Sequence, residues 1–344
     1  MYPWEEKLEQ IRKENQIAGM AVVLTDREKV VWAGAYGVDT VERPHIPADP
    51  ISMYRIASVT KMFVAATVMS LVDQGKLDLD TPVTEYVPWL TFSRPEATER
   101  MTLRHLLSHT GGLPKAFKPN GPKDECFITR AMREDLPKLE MKHLPGDGAY
   151  EYANWGTRVA AFVAQEVSGK LFSEVVKELI LDPLGMDRTT FHLREVATYP
   201  VSVPHEVGED GNLRVIHSMS ENGESFASGG LYSNAFDLCK FARMLLNEGR
   251  NDAGEQVLKP ETVALMKSKH AKREEPGDWY GLNIHIRQFQ DGYLYGHLGN
   301  VPPYTTSVFT DPKTGYGVVT LMNTKHPELR LPIPEMIFEM LRNQ

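Results

Sequence analysis

Hydrophobic positions recur along this chain in two periods, one helical and one extended. The run from Ser58 to Gly75 is apolar, contains no turn signal and ends in a glycine suited to the left-handed stop position, so it predicts one helix. At ~100° per residue, Thr60, Thr67, Ser70 and Gln74 gather on one narrow side, while Val64, Ala65, Val68, Met69 and Val72 surround the direction of Lys61. Helical patterning also covers the N-terminal residues, Thr102 to Ser108, Asn154 to Ser168, Phe172 to Leu181, Asn234 to Glu248 and Ile333 to Leu341. Strand-like alternation marks Gly19 to Thr25 and Lys29 to Tyr36, joined by Asp26-Arg27-Glu28. It returns at Tyr280 to Gln288, Leu294 to His297, Tyr304 to Thr310 and Gly315 to Met322, which read as consecutive antiparallel strands. Between Pro204 and His217, the turn Glu209-Asp210-Gly211-Asn212 predicts a hairpin.

These elements imply an α/β (α+β) fold. The N-terminal strands join the C-terminal ones in an antiparallel sheet flanked by helices, with a helical lobe inserted in sequence. The sheet lobe takes residues 1–60 and 200–344, and the mostly helical lobe residues 61–199. No internal repeat, low-complexity segment or flexible linker interrupts this plan. The charged run Lys267 to Asp278 reads as a solvated surface loop.

A chain of 344 residues with 42% hydrophobic and 24% charged residues is long enough and apolar enough for a globular enzyme with a sizeable core. The formal net charge of -8, with dispersed basic residues, argues against a nucleic-acid partner. Cys126 and Cys239 are far apart in sequence, so reduced thiols are expected rather than a disulfide framework. No basic segment followed by an apolar core opens the chain, and no stretch approaches the ~20 apolar residues of a membrane span. A cytoplasmic location without membrane contact is therefore expected. His105 and His109 have the i, i+4 spacing of a helical zinc pair but lack the adjacent Glu and a third ligand, so no metal is expected. No motif calls for a cofactor, and the oligomeric state is open.

The chemistry is carried by three short motifs. Ser58-Val59-Thr60-Lys61 places a nucleophile and a proton acceptor one helical turn apart on one face. A lysine directed into apolar packing is either paired or shifted toward its neutral form, which can take a proton from the serine. Backbone N–H groups at the start of the helix suit a developing oxyanion. Tyr152 and Asn154, in Tyr150-Glu151-Tyr152-Ala153-Asn154, stand at a loop-to-helix junction after Pro145-Gly146-Asp147-Gly148. Gly296-His297-Leu298-Gly299-Asn300 lies among the C-terminal strands, where a glycine allows close approach to the backbone. Taken singly, each has a structural reading: Ser58 and Asn154 as helix caps, Tyr152 as a packed aromatic, His297 as a strand-end histidine.

In this order and at these separations, the chain resembles the serine β-lactamase and penicillin-binding-protein superfamily, and its class C branch in particular. Ser58 and Lys61 match the Ser-x-x-Lys motif, Tyr152 to Asn154 the Tyr-Ala-Asn motif, and His297 to Gly299 the Lys-Thr-Gly strand. Tyr54-Arg55-Ile56-Ala57-Ser58, the stretch from Leu106 to Leu113, and Gly229 to Ser233 resemble connecting sequences of that branch, so the likeness extends from about Ala18 to Asn323.

The resemblance implies an active site in the cleft between the lobes. Ser58 forms an acyl-enzyme, Lys61 and Tyr152 share the general-base and general-acid work, and water releases the acid. Asn154 is expected to bind an amide of the acyl part, and the N–H groups of Ser58 and Asn300 to form the oxyanion hole. A phenol, with a pKa near 10, needs a neighbouring cation to serve as a base, and Lys61 is expected to supply it. Where the family has a Lys, this chain has His297, which resembles D-aminopeptidase, D-amidase and carboxylesterase relatives with a His-x-Gly motif. The expected substrates are small esters, amides or peptides, with weak or no β-lactam turnover. His297, Gly299, Asn300 and Tyr304 are expected to face substrate, within a cleft wall that includes Trp155, Tyr293, Tyr295, Pro302 and Pro303. The alternatives are a penicillin-binding DD-carboxypeptidase, a true class C β-lactamase, and a non-catalytic sensor that keeps the fold.

Overall fold

The computed structural model describes residues 2–115, 127–218 and 226–343. Alternating apolar positions build its central sheet. Helix α1 (Glu5–Glu14) precedes β1 (Gly19–Thr25) and β2 (Val30–Gly37). The C-terminal part contributes β3 (Ala271–Lys272), β4 (Trp279–Tyr280), β5 (His285–Phe289), β6 (Gly292–Val301), β7 (Tyr304–Asp311) and β8 (Tyr316–Met322). These eight strands form one antiparallel sheet in the order β2-β1-β8-β7-β6-β5-β4-β3. The two ends of the chain meet where β1 pairs with β8, in a register that sets Val22 opposite Thr320.

Strand β1 is buried along its whole length because both faces of the sheet are covered. Met20, Val22 and Leu24 pack with Trp4, Leu8, Ile333, Ile337 and Phe338, which come from the N-terminal segment and from the last helix (Pro332–Arg342). Ala21 and Val23 enter the larger core on the opposite face, which continues through Phe63, Val68 and Phe162 into the helical part.

That larger core is organised by helix α2 (Thr60–Asp73), which follows a short 3-10 turn (Ala57–Val59). Every residue of α2 from Thr60 to Leu71 is buried, including those of the polar side. Thr60 and Thr67 both find partners: Thr60 Oγ1 accepts the N–H of the distant Leu231, and Thr67 Oγ1 donates to the Phe63 carbonyl one turn back. Gly75, with φ +70°, makes the expected left-handed stop. Helices α3 (Leu103–Leu107), α4 (Asn154–Ser168) and α5 (Ala235–Leu246) and the hairpin of His205–Val207 with Leu213–Val215 fall close to their predicted places. The last helix, α6, is the Pro332–Arg342 element.

Two predicted elements divide. The single strand expected from Tyr280 to Gln288 is β4 and β5, because Asn283 takes a left-handed conformation (φ +51°) and the Gly281 N–H turns back to the Ile284 carbonyl at 2.8 Å. The helix expected over Phe172 to Leu181 passes from α-helical (Phe172–Val176) to π-helical (Lys177–Leu181) winding. The charged run Lys267 to Asp278 is more than a solvated loop, since it supplies β3 and ends in the buried carboxylate of Asp278. Among the described residues, no helix is long and apolar enough to cross a membrane. Cys239 is buried in α5, and Cys126 lies outside the described residues.

Candidate active site

The site forms where three separate pieces of chain meet at one edge of the sheet. Strand β5 pairs with β6 only over Gly292 to Gly296, so residues from His297 onward keep β7 as a partner but lose a neighbour on the other side. The turn carrying Ser58 occupies that gap. Ile56 is held from both directions: its N–H donates to the Leu231 carbonyl at 3.0 Å, and its carbonyl accepts the Thr306 hydroxyl at 2.8 Å. Ala57 then takes a positive φ of +50°, unusual for a residue with a Cβ, and this turns Ser58 toward the cleft ahead of α2.

Lys61 is fully buried and reaches back from the first turn of α2. Its Nζ lies 3.1 Å from Ser58 Oγ, 2.8 Å from Asn154 Oδ1 and 2.7 Å from the Ser228 carbonyl. None of these acceptors carries a full negative charge. Burial therefore pushes the ammonium well below the ordinary lysine value, and the Arg158 guanidinium pushes in the same direction. Tyr152 shares a hydrogen bond with Ser58, and its ring centroid is 5.1 Å from Lys61 Nζ. Burial pushes its phenol up to about 12, against the opposing pull of the Ser58 hydrogen bond and of Arg273 and Arg330.

Burial thus moves both members of the pair toward their uncharged forms, lowering Lys61 and raising Tyr152, and the groups that oppose the rise of the phenol are Ser58, Arg273 and Arg330.

Asn154 is the first residue of α4 rather than its cap, a position taken by Ala153, and its side chain faces Lys61. His297 is 3% exposed, and both of its nitrogens are engaged. Its Nδ1 lies 2.7 Å from the Leu298 carbonyl, which only accepts, so Nδ1 carries the proton and Nε2 accepts the Tyr280 hydroxyl at 2.6 Å. Burial, together with Lys61, drives its pKa well below that of an ordinary histidine. His297 is thus a neutral wall of the cleft.

Gly299 meets a different partner from the one expected. A Cβ there would lie 2.0 Å from Thr306 Oγ1 and 2.4 Å from the Ile56 carbonyl oxygen, so the missing side chain makes room for the nucleophile's own turn. Asn300 lines the cleft, and its Oδ1 is buried without a partner.

Tyr304 does not face substrate. It is 3% exposed, packs edge-on against Tyr54 and donates its hydroxyl to the Ser202 carbonyl at 2.8 Å. Trp155 is likewise core, while Tyr293 and Tyr295 lie against Lys269 and Lys267 away from the cleft. The aromatic wall is built instead from Tyr150, Tyr152 and Tyr280. His109, beyond the end of α3 and at φ +59°, fills the space behind them. It is therefore not on one helical face with His105. Its ring centroid lies 4.6 Å from that of Tyr152 and 4.7 Å from that of Tyr280. Its carbonyl accepts the Glu151 N–H at 2.8 Å and its Nδ1 accepts the Ala153 N–H at 3.3 Å, gripping the backbone on both sides of Tyr152. Among the described residues, no cluster of His, Cys, Asp or Glu is arranged to hold a metal.

The cleft encloses about 480 Å³. Ser58, Tyr152, Asn154 and His297 share it with Arg273, Glu274, Glu275 and Arg330. Those charged residues belong to no sequence motif. Arg273 stands in the run read as a surface loop, and Arg330 follows the last strand.

Known proteins share the fold of this chain. A penicillin-binding protein homologue from Pyrococcus abyssi, described as octameric, superposes with a TM-score of 0.82 at 28% identity, over 93% of this chain and 72% of its own. D-amino acid amidase from Ochrobactrum anthropi shares the fold with a TM-score of 0.79 at 21% identity, over 99% of this chain and 98% of its own. The Mycobacterium tuberculosis protein Rv1367c is 29% identical over 305 residues, covering 78% of this chain and 75% of that protein. The sequence profile of the Beta-lactamase family matches residues 4–337, nearly the whole chain, which therefore belongs to the β-lactamase family of hydrolases.

Proposed function

We propose that the protein is a serine hydrolase that cleaves small esters or amides through an acyl-enzyme on Ser58, with weak or no turnover of β-lactams. The observation that carries this reading is the buried Lys61 amine, 3.1 Å from Ser58 Oγ, bonded otherwise to the neutral acceptors of Asn154 and Ser228, and pushed by burial well below the ordinary lysine value. A neutral amine in contact with a hydroxyl is a general base, and a purely structural lysine has no need of that position.

In this reading Lys61 takes the Ser58 proton as Oγ attacks the carbonyl carbon. The N–H groups of Ser58 and Asn300 stabilise the tetrahedral oxyanion. Tyr152, whose phenol burial pushes up to about 12, gives its proton to the departing oxygen or nitrogen, and its phenolate then takes a proton from the water that attacks the ester carbonyl on Ser58. Lys61 returns the Ser58 proton to Oγ as the acid leaves. Asn154, already bound through Oδ1 to Lys61, has its amide N–H₂ left to orient the acyl part. His297, its pKa driven well below that of an ordinary histidine, offers no permanent charge to a β-lactam carboxylate, which is the ground for weak or no β-lactam turnover.

The test is a stopped-flow time course of p-nitrophenyl butyrate hydrolysis, with Ser58→Ala in parallel and nitrocefin and D-amino acid amides as competing substrates. Steady turnover lost in Ser58→Ala supports the reading, and a burst places the slow step at deacylation. Activity unchanged in Ser58→Ala would remove Ser58 as the nucleophile, and a nitrocefin kcat/KM equal to that for simple esters would overturn the substrate class.

A further inference from the structure

A tyrosine that belongs to none of the three motifs governs the histidine of the third. Tyr280, on β4, donates its hydroxyl to His297 Nε2 at 2.6 Å, and both side chains are buried where they line the cleft. The bond is fixed from both ends. His297 Nδ1 is committed to the Leu298 carbonyl at 2.7 Å. Tyr280 pairs with Ala271 on β3 and His285 on β5, and its carbonyl accepts the His270 N–H at 2.9 Å. Its ring is packed among His109, Tyr150 and Tyr152, at centroid separations of 4.7, 5.6 and 6.3 Å.

The same hydroxyl sets the charge of the imidazole. Among the described residues, His297 Nε2 is the acceptor that the Tyr280 hydroxyl reaches. A proton on Nε2 would turn that acceptor into a second donor aimed at the same oxygen, and would leave the Tyr280 hydrogen buried with nothing to accept it. Tyr280 does not escape by giving its proton up, because burial raises its phenol well above the ordinary value. The titratable groups around the ring give the imidazolium no help. Lys61 on α2, His285 on β5 and His109 all disfavour it, the Tyr152 phenol at a centroid distance of 6.3 Å is itself raised by burial, and Asp278 is taken up by His285 and Arg287. Only the Leu298 carbonyl pulls the other way.

We propose that Tyr280 is a specificity-determining positioning residue: by filling His297 Nε2 it holds the third motif without charge and without a free donor, and so turns β-lactams away from Ser58. Its consequence for substrates rests on the Ser58 hydrolase reading, whereas the bond between Tyr280 and His297 does not.

The test begins with imidazole ¹⁵N spectra of the wild type, with His297 assigned through His297→Gln. They should show the Nδ1–H tautomer, unchanged between about pH 5 and 8, where a free histidine titrates. A wild-type His297 that titrates in this window, or carries its proton on Nε2, would overturn the proposal whether or not any variant folds. Tyr280→Phe keeps the ring and removes the donor, so Nε2 should take a proton within the same window. The ratio of kcat/KM for nitrocefin to that for p-nitrophenyl butyrate should then rise in Tyr280→Phe as pH falls, by about tenfold or more, the worth of a hydrogen bond to a charged group. The gain should vanish in Tyr280→Phe/His297→Gln. An unchanged ratio, or a gain that survives in the double variant, would remove Tyr280 as the determinant while leaving the Ser58 hydrolase intact. If neither substrate is turned over faster than by Ser58→Ala, the hydrolase reading fails, and calorimetry with benzylpenicillin decides instead. Tighter binding to Ser58→Ala/Tyr280→Phe than to Ser58→Ala at the acid end of the window supports the role of Tyr280, and equal binding refutes it.

Discussion

A Cβ on Gly299 would lie 2.4 Å from the carbonyl oxygen of Ile56, so the strand of the third motif and the turn of the first are in backbone contact. The edge of β6 supports the position of Ser58 directly, and the contact tolerates no side chain.

Gly299→Ala should therefore displace the Ser58 turn rather than block substrate entry. A shift on the order of 1 Å at a reacting group costs about 100-fold, and the loss should appear in kcat for p-nitrophenyl butyrate while the KM stays close to that of wild type. Full activity in Gly299→Ala would show that the turn accommodates a methyl group and that the contact does not set the nucleophile.

The charge states of Lys61 and Tyr152 predict the pH profile. Activity should rise with pH through the lowered pKa of Lys61, well below 10.5, and should not fall through loss of the Tyr152 proton until about pH 12. Lys61→Arg, permanently cationic, should lose about 100-fold or more in kcat, the usual contribution of a general base. An Arg variant with near-normal turnover, or an alkaline limb near pH 10 that Tyr152→Phe removes, would contradict the assignment.

Stability should respond to the same lysine. Unfolding exposes Lys61, which then binds a proton up to its ordinary value of 10.5, whereas the folded protein releases it at a much lower pH. Between those values the unfolded state holds more protons, so folding stability rises with pH, by about 1.4 kcal/mol per pH unit for one group. Denaturant titrations of wild type and Lys61→Met at several pH values should show a difference that grows in favour of wild type as pH rises through this window. A difference independent of pH would mean that Lys61 is charged in the folded protein.

His109 is a positioning residue for Tyr152, since it holds the N–H groups of Glu151 and Ala153 and packs on the phenol ring. His109→Leu removes the Nδ1 acceptor and places a branched side chain at φ +59°, and should lower kcat about tenfold or more with a smaller effect on KM. His109→Asn keeps an acceptor and tolerates a left-handed backbone, so it should restore part of the loss. Equal impairment in both variants, matched by equal loss of thermal stability, would reduce the residue to a packing role.

Tyr304→Phe should leave the ranking of ester and amide substrates unchanged and destabilise the protein by about 1 kcal/mol, because the Ser202 carbonyl loses the hydroxyl that donates to it. A changed substrate ranking at wild-type stability would return Tyr304 to the cleft.

Local spacing and periodicity determined much of this protein. The one-turn separation of Ser58 and Lys61, the apolar surroundings of that lysine, the junction at Asn154 and the alternation in the C-terminal strands are all properties of short segments, governed by helix and strand geometry. Tertiary structure decided what depends on distant chain. The surroundings of Lys61 depend on Asn154 and Ser228, which offer it neutral acceptors, and on Arg158, which adds like charge, while burial raises Tyr152 where a lowered phenol was expected. Tyr304 and Trp155 could be placed in core or cleft only once the elements packed, since an aromatic side chain has the same local signature in both. Arg273 and Arg330 carry no motif, and they come to one cleft because the segment after β3 and the segment after β8 both line it. Backbone periodicity is encoded within a few residues, but electrostatic fields and burial are sums over everything that folds nearby.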